Sequence, residues 1–134
     1  MLIRCISTQP TEEQAQRLGI GKNYFPGRQQ FGVSVGEKYL VFGLTIMNGE
    51  PWVDIMLLPS GYLHSVPLCL FEILDRHVSK YWVIGFGPKG NITIGPPSIL
   101  DQPYYFDDLS NGVAEVVDDF RRIRELLEAE FQDE

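Results

Sequence analysis

The alternation of apolar and polar positions between residues 38 and 66 predicts a three-stranded antiparallel meander. Asn48-Gly49 is a dipeptide typical of tight hairpin turns, because both residues tolerate a positive φ. A second turn falls at "PSG", residues 59–61. Residues at every second position of a strand share one face. The first strand should therefore bury one apolar face, formed by Leu40, Phe42, Leu44 and Ile46.

Two segments carry helical signatures. Near the N-terminus, Thr11 and Gln14 form a capping box that starts a short helix, and Gly19 suits its C-terminal end. Apolar residues then recur at intervals of three and four along residues 113–131, which predicts a long amphipathic helix capped by Ser110 or Asn111. Its apolar stripe contains Val113, Val116, Val117, Phe120, Ile123, Leu127 and Phe131.

The other segments are shorter. Residues 2–7 read as a first strand, and residues 79–95 as a second hairpin with its loop at residues 87–91. The stretch after Pro67 favours a short helix or a 3₁₀ turn. Two connectors are predicted, a glycine-rich loop at residues 19–32 and an extended segment at residues 96–103.

These elements predict an α+β fold in one domain, residues 1–134. A small, curved antiparallel sheet, which can take the form of an SH3-like half barrel, should carry a short N-terminal helix and a long C-terminal helix. The first ten residues contain no long apolar run of the kind found in signal peptides, and no segment reaches the length of a membrane span. We therefore expect a cytoplasmic protein whose Cys5 and Cys69 are reduced, buried thiols.

The negative charge is concentrated at the C-terminal end. Residues 101–134 carry eleven carboxylates and three arginines, a net charge of −8, whereas the chain as a whole carries −7. Such a field repels nucleic acid and anionic membranes and attracts basic proteins. The alternative is a solvated helix face that only keeps the protein in solution.

The sequence contains no recognisable catalytic, cofactor or metal motif. His64 and His77 are thirteen residues apart and match no metal-ligand spacing. The glycine-rich stretch at residues 85–91 departs from the phosphate-loop spacing, and residues 32–36 depart from the nucleophile elbow. We predict no catalytic residue, no cofactor and no metal ion.

The segment "QPYYFDD", residues 102–108, allows two interpretations. Its aromatic rings can staple the following helix to the core, with Asp107 and Asp108 near the positive helix end. Alternatively, aromatic rings beside carboxylates form a binding surface for arginine and lysine. A separate polar position is Asp54, which interrupts an apolar strand; we favour an open or half-open face around it over a covered one.

Three stretches carry a resemblance to known proteins: "VFGLTIMNGEPWVDI", "PLCLFEILDRHVSKYWVIGF" and "YYFDDL" before an acidic terminal helix. From residue 38 onward the chain resembles a group of small bacterial proteins, and its general build is similar to that of immunity proteins of bacterial toxin systems. The resemblance implies a compact, acidic, cytosolic protein. It carries over no catalytic residue and implies no particular toxin.

The leading hypothesis is a non-enzymatic protein that captures a basic partner, with an immunity or antitoxin role as its biological form. A self-associating structural or regulatory domain is the alternative, and a small enzyme is a third. The predicted partner-binding residues are Tyr104, Tyr105, Asp107, Asp108, Asp118 and Asp119. The predicted homodimer face consists of Tyr39, Trp52 and Met56.

Overall fold

The computed structural model describes residues 1–20, 31–58 and 60–132. The strands are β1 Leu2–Cys5, β2 Lys38–Leu40, β3 Gly43–Met47, β4 Glu50–Leu57, β5 Tyr62–Pro67, β6 Phe71–Asp75, β7 Val83–Phe86 and β8 Ile92–Gly95. The helices are α1 Glu12–Arg17, α2 Pro97–Asp101, α3 Tyr105–Ser110 and α4 Ala114–Gln132. Most of the predicted loop at residues 19–32 lies outside the described residues.

The strands form two antiparallel sheets, which confirms the α+β class. A three-stranded sheet has the order β2-β1-β6, and a five-stranded sheet has the order β5-β4-β3-β8-β7. The predicted hairpins β3–β4, β4–β5 and β7–β8 are all present. The described strands do not close into a barrel.

The single strand predicted across residues 38–47 is wrong, because the chain changes sheet in its middle. β2 ends at Leu40 and pairs with β1, whereas β3 begins at Gly43 and pairs with β4 and β8. Val41 and Phe42 lie between them and are both buried, at 1% and 2% exposure, in different hydrophobic clusters. Leu40 packs in the same cluster as Phe42, whereas Leu44 packs against the other cluster. The four residues therefore do not share one buried face, and Leu40, Leu44 and Ile46 are only half-buried.

Two connecting segments also differ from expectation. A 3₁₀ turn at Leu68–Leu70 follows Pro67 as predicted, but β6 follows it and pairs with β1, so no helix continues there. The extended connector predicted at residues 96–103 is wrong, because α2 occupies most of it. Pro97 stands at the first position of α2, where a missing N–H leaves no helical hydrogen bond unmade.

Both principal helices confirm their sequence signatures. At the start of α1, the Gln14 backbone N–H donates to Thr11 Oγ1 at 3.1 Å, and the Thr11 N–H donates to Gln14 Oε1 at 2.8 Å. α4 lies within one residue of its predicted bounds. Ser110 ends α3 and Asn111 is its C-cap, so neither caps α4.

Within the described residues, two hydrophobic clusters lie one on each side of the five-stranded sheet. The first cluster lies between the two sheets and contains Ile3, Cys5, Val33, Val41, Val53, Ile55, Val66, Leu70 and Phe71. The second lies between the five-stranded sheet and the helices and contains Phe42, Leu63, Ile99, Tyr105, Leu109, Val116, Phe120, Ile123 and Leu127. The predicted docking of the C-terminal helix on the sheet is therefore present.

Small residues allow α2 to approach the sheet closely. A Cβ atom on Gly85 would lie 3.1 Å from Leu100 Cδ2, and one on Gly95 would lie 3.0 Å from Leu100 Cδ1. These glycines belong to the neighbouring strands β7 and β8. Their missing side chains make room for Leu100, so α2 sits directly over this end of the sheet.

Both cysteines are free thiols, with Cys5 buried and Cys69 half-buried. Burial raises the pKa of each thiol above its ordinary value, which reduces the reactive thiolate form. None of the helices in the described ranges combines the length and the apolar character that crossing a membrane requires.

Candidate functional site

A cleft of about 600 Å³ opens between the five-stranded sheet and the segment that contains α2 and the start of α3. One wall is made largely by sheet residues and the other by residues 99–103, 105 and 106, which include part of "QPYYFDD". Its volume is within the range of small-molecule sites in proteins. The lining residues are Thr45, Met47, Asp54, Ser65, Gly85, Phe86, Gly87, Thr93, Ile99, Leu100, Asp101, Gln102, Pro103, Tyr105 and Phe106.

Asp54 is the buried carboxyl group of this cleft. It lies on β4 between Gly43 of β3 and Ser65 of β5, and it is only 7% exposed. The open or half-open face expected around it is wrong, because α2 and α3 cover that side of the sheet. Burial raises the pKa of Asp54 to about 7, although a hydrogen bond from the Ser65 side chain acts in the opposite direction.

The glycine opposite Asp54 leaves the space that its carboxyl group occupies. A Cβ atom on Gly43 would lie 2.9 Å from Asp54 Oδ2 and 3.2 Å from the carbonyl oxygen of Ile94. Both distances are shorter than ordinary carbon–oxygen contacts. A larger residue at position 43 would therefore displace the Asp54 carboxyl group.

Tyr105 and Asp119, two of the predicted partner-binding residues, belong to one hydrogen-bonded network, in which Tyr105 is buried and Asp119 is half-buried. Tyr105 is 1% exposed, and its hydroxyl donates to Asp119 Oδ2 at 2.8 Å. Ser98 Oγ donates to the same oxygen at 2.7 Å, and Arg122 donates to Oδ1 at 2.8 Å. Because this network joins α2, α3 and α4, it holds the helical wall of the cleft in place.

The ionisation of this network follows from its hydrogen bonds. Burial raises the pKa of Asp119, but hydrogen bonds from Ser98, Arg122 and Tyr105 outweigh it, and the net pKa is lowered. The pKa of Tyr105 is raised by burial and by the adjacent Asp119 carboxylate. Tyr105 thus remains a hydrogen-bond donor and Asp119 an acceptor at neutral pH.

The remaining predicted partner-binding residues lie at or near the surface. Tyr104 is 68% exposed and immediately precedes α3. Asp107, in the first turn of α3, is exposed, whereas Asp108 is half-buried. The side chain of Asp118 on α4 is 72% exposed and lies 3.5 Å from Arg121.

The predicted homodimer residues do not form one flat face. Tyr39 belongs to the three-stranded sheet, and its ring packs edge-on against Phe71 at 5.9 Å. Trp52 belongs to the five-stranded sheet and packs against Phe31 at 6.3 Å. Met56 and Tyr39 both line a second cleft of about 470 Å³, which Trp52 does not reach.

An exposed apolar edge lies on β7. This strand is the outer strand of the five-stranded sheet, and Ile84 and Phe86 are 62% and 82% exposed. Phe86 also contributes to the lining of the cleft. Unpaired edge strands with apolar side chains are ready to pair with another chain.

The described residues contain no group of three or more histidine, cysteine or acidic side chains placed to hold a metal ion. Comparison of the chain with protein-family models, curated proteins and solved structures found no match. The chemistry of the cleft and of the surface around it is therefore the basis for assigning a function.

Proposed function

We propose that the protein is a non-enzymatic binding protein that captures a basic protein partner. The contact surface, which we call the acidic rim, consists of Tyr104, Asp101, Asp107 and Asp118. An immunity-type role, in which the protein neutralises a basic toxin domain, is the biological form suggested by the resemblance of the chain to immunity proteins.

The exposure of Tyr104 beside exposed carboxylates is the observation that supports this proposal. Its ring is 68% exposed, although the neighbouring Tyr105 is fully buried. An exposed tyrosine provides a large contact area and cation–π contacts with arginine or lysine. The carboxylates of Asp101 and Asp107 lie within three residues of it and add electrostatic attraction.

A labelled peptide of alternating arginine and glycine residues provides a test of the acidic rim. The double variant Asp107→Lys/Asp118→Lys should bind it about tenfold more weakly, because each exposed charge pair contributes up to about 1 kcal/mol. Added salt should have the same effect, since charges are screened within about 8 Å at about 0.15 M. Fluorescence anisotropy across a salt series measures both effects.

The matched control is Glu12→Lys/Glu37→Lys, which changes the net charge equally outside the acidic segment. The control should keep most of the affinity. Equal losses in the two double variants would mean that only net charge matters. The acidic segment would then be a solubilising surface rather than a binding site.

Self-association is the second candidate function, and the exposed edge of β7 favours it. Edge strands of two copies can pair in an antiparallel manner, which buries Ile84 and Phe86 of both copies across a two-fold axis. This arrangement replaces the predicted face of Tyr39, Trp52 and Met56 as the dimer contact that we propose.

Light scattering at micromolar concentration tests the dimer. The wild-type protein should have twice the monomer mass, and Phe86→Lys should be monomeric. Val35→Lys is the matched control, because Val35 is 64% exposed but lies outside the sheets. A monomeric wild-type protein would exclude self-association through β7.

A further inference from the structure

We propose that the cleft over Asp54 binds a primary ammonium group carried on an alkyl chain. Its natural source is a lysine side chain of the basic partner, and in this respect the inference rests on the proposed function. The ammonium group would lie against the Asp54 carboxylate, and the alkyl chain would lie along the apolar wall.

The charge of the cleft is the first argument for a cationic ligand. Two carboxyl groups line it, a buried one on Asp54 and an exposed one on Asp101, and no basic side chain is among its lining residues in the described ranges. Among the described residues, no basic side chain forms an ion pair with Asp54. Its side-chain hydrogen bond comes from Ser65. A buried, ionised carboxylate without a cation is costly, so a bound cation would stabilise it.

The lining of the cleft is the second argument, and it favours an ammonium group on a hydrocarbon stem. Besides Asp54, three hydroxyl-bearing residues can accept the remaining N–H bonds of an ammonium group: Thr45, Ser65 and Thr93. Apolar side chains cover the opposite wall, with Ile99, Leu100, Pro103 and Phe106 beside the stem. A long side chain with an apolar stem and a charged tip fits such a cleft.

An ammonium group suits this geometry better than a guanidinium group. Guanidinium recognition favours a carboxylate with both oxygens free for a planar, paired contact. The Asp54 carboxyl group already accepts a hydrogen bond from Ser65, and Oδ2 lies close to Gly43. An ammonium group is compact and does not need a planar, two-point contact with the carboxylate. It can also donate to hydroxyl groups on several strands.

The protonation of Asp54 couples binding to pH. With a pKa of about 7, the carboxyl group is mostly neutral near pH 6 and mostly ionised near pH 8, so affinity should rise about tenfold across that range. Alkylamines stay protonated until about pH 10. The other titratable groups lining the cleft are Asp101, which is exposed, and Tyr105, which is held by Asp119.

Titration with butylammonium chloride, followed by amide chemical shifts, tests the ammonium site. A ligand of this size should bind with a dissociation constant on the order of 1 mM near pH 8. Asp54→Asn should weaken binding at least about tenfold, whereas Glu12→Gln, at an exposed position of α1 outside the cleft, should change it less than about threefold. Equal binding by Asp54→Asn and the wild-type protein, or no saturable binding, would overturn the proposal.

A second titration identifies the source of the ammonium group. An acetylated and amidated glycine peptide with one central lysine should bind at least as tightly as butylammonium, and the same peptide with norleucine should bind at least about tenfold more weakly. Binding of butylammonium but not of the lysine peptide would overturn the partner's lysine as the source. Failure of both ligands would leave the arginine-peptide test of the acidic rim unaffected, so the two proposals fail separately.

Discussion

Replacing Asp54 by asparagine should stabilise the protein at alkaline pH. The folded carboxyl group has a pKa of about 7, and its ordinary value is 3.8. Between these values the folded state binds more protons than the unfolded state, so wild-type stability falls as the pH rises through this window. The free energy of unfolding of Asp54→Asn, relative to wild type, should therefore increase by about 4 kcal/mol between about pH 4 and pH 8.

Urea unfolding of both proteins at the two pH values measures this difference. Asp118→Asn is the control, because it removes an exposed carboxylate from α4. Its effect on stability should agree at the two pH values within about 0.5 kcal/mol. A pH-independent effect of Asp54→Asn would mean that the Asp54 carboxyl group is hydrated or paired in the folded protein.

Replacing Phe42 by alanine should destabilise the protein by about 3–5 kcal/mol. Phe42 is 2% exposed, and its ring centroid lies 5.1 Å from that of Phe120 on α4. The substitution would leave a cavity between the sheet and the C-terminal helix. The backbone N–H of Phe42 donates to the Asp54 carbonyl oxygen at 2.8 Å, so the cavity would lie close to the cleft.

The free energy of unfolding from equilibrium urea denaturation, with Val35→Ala as control, checks this prediction. Val35 is 64% exposed and lies outside the strands and helices, so its replacement should cost no more than about 0.5 kcal/mol. A loss below about 1 kcal/mol for Phe42→Ala would contradict the assignment of Phe42 to the second hydrophobic cluster.

Short-range sequence patterns were sufficient to predict most of the strands, helices and turns. The Asn48-Gly49 turn has φ values of 52° and 79°, and the capping box of α1 is formed by the two residues that predict it. Such features depend on neighbouring residues only. The change of sheet between Leu40 and Gly43 depends on contacts with distant strands, and an alternating pattern cannot reveal it.

The site was predictable only in part, for a similar reason. Asp54 is conspicuous because it interrupts an apolar strand, and counting back from the turn before β5 would have paired it with Ser65. The burial of Asp54 depends on α2, which begins at Pro96-Pro97. Two consecutive prolines are compatible with a helix start and with an extended connector, so the sequence alone does not predict α2. The aromatic segment likewise divides by exposure, with Tyr104 outward and Tyr105 inward, and adjacent positions alone do not determine which ring is buried.

The ionisation of Asp54, followed by the carbon chemical shift of its carboxyl group across a pH series, is the most direct test of the functional cleft. We expect an inflection at about pH 7 in the free protein and a shift to lower pH when butylammonium is bound, because the cation favours the ionised carboxylate. An inflection near the ordinary value of 3.8, unchanged by butylammonium, would contradict both the buried state of Asp54 and the ammonium site.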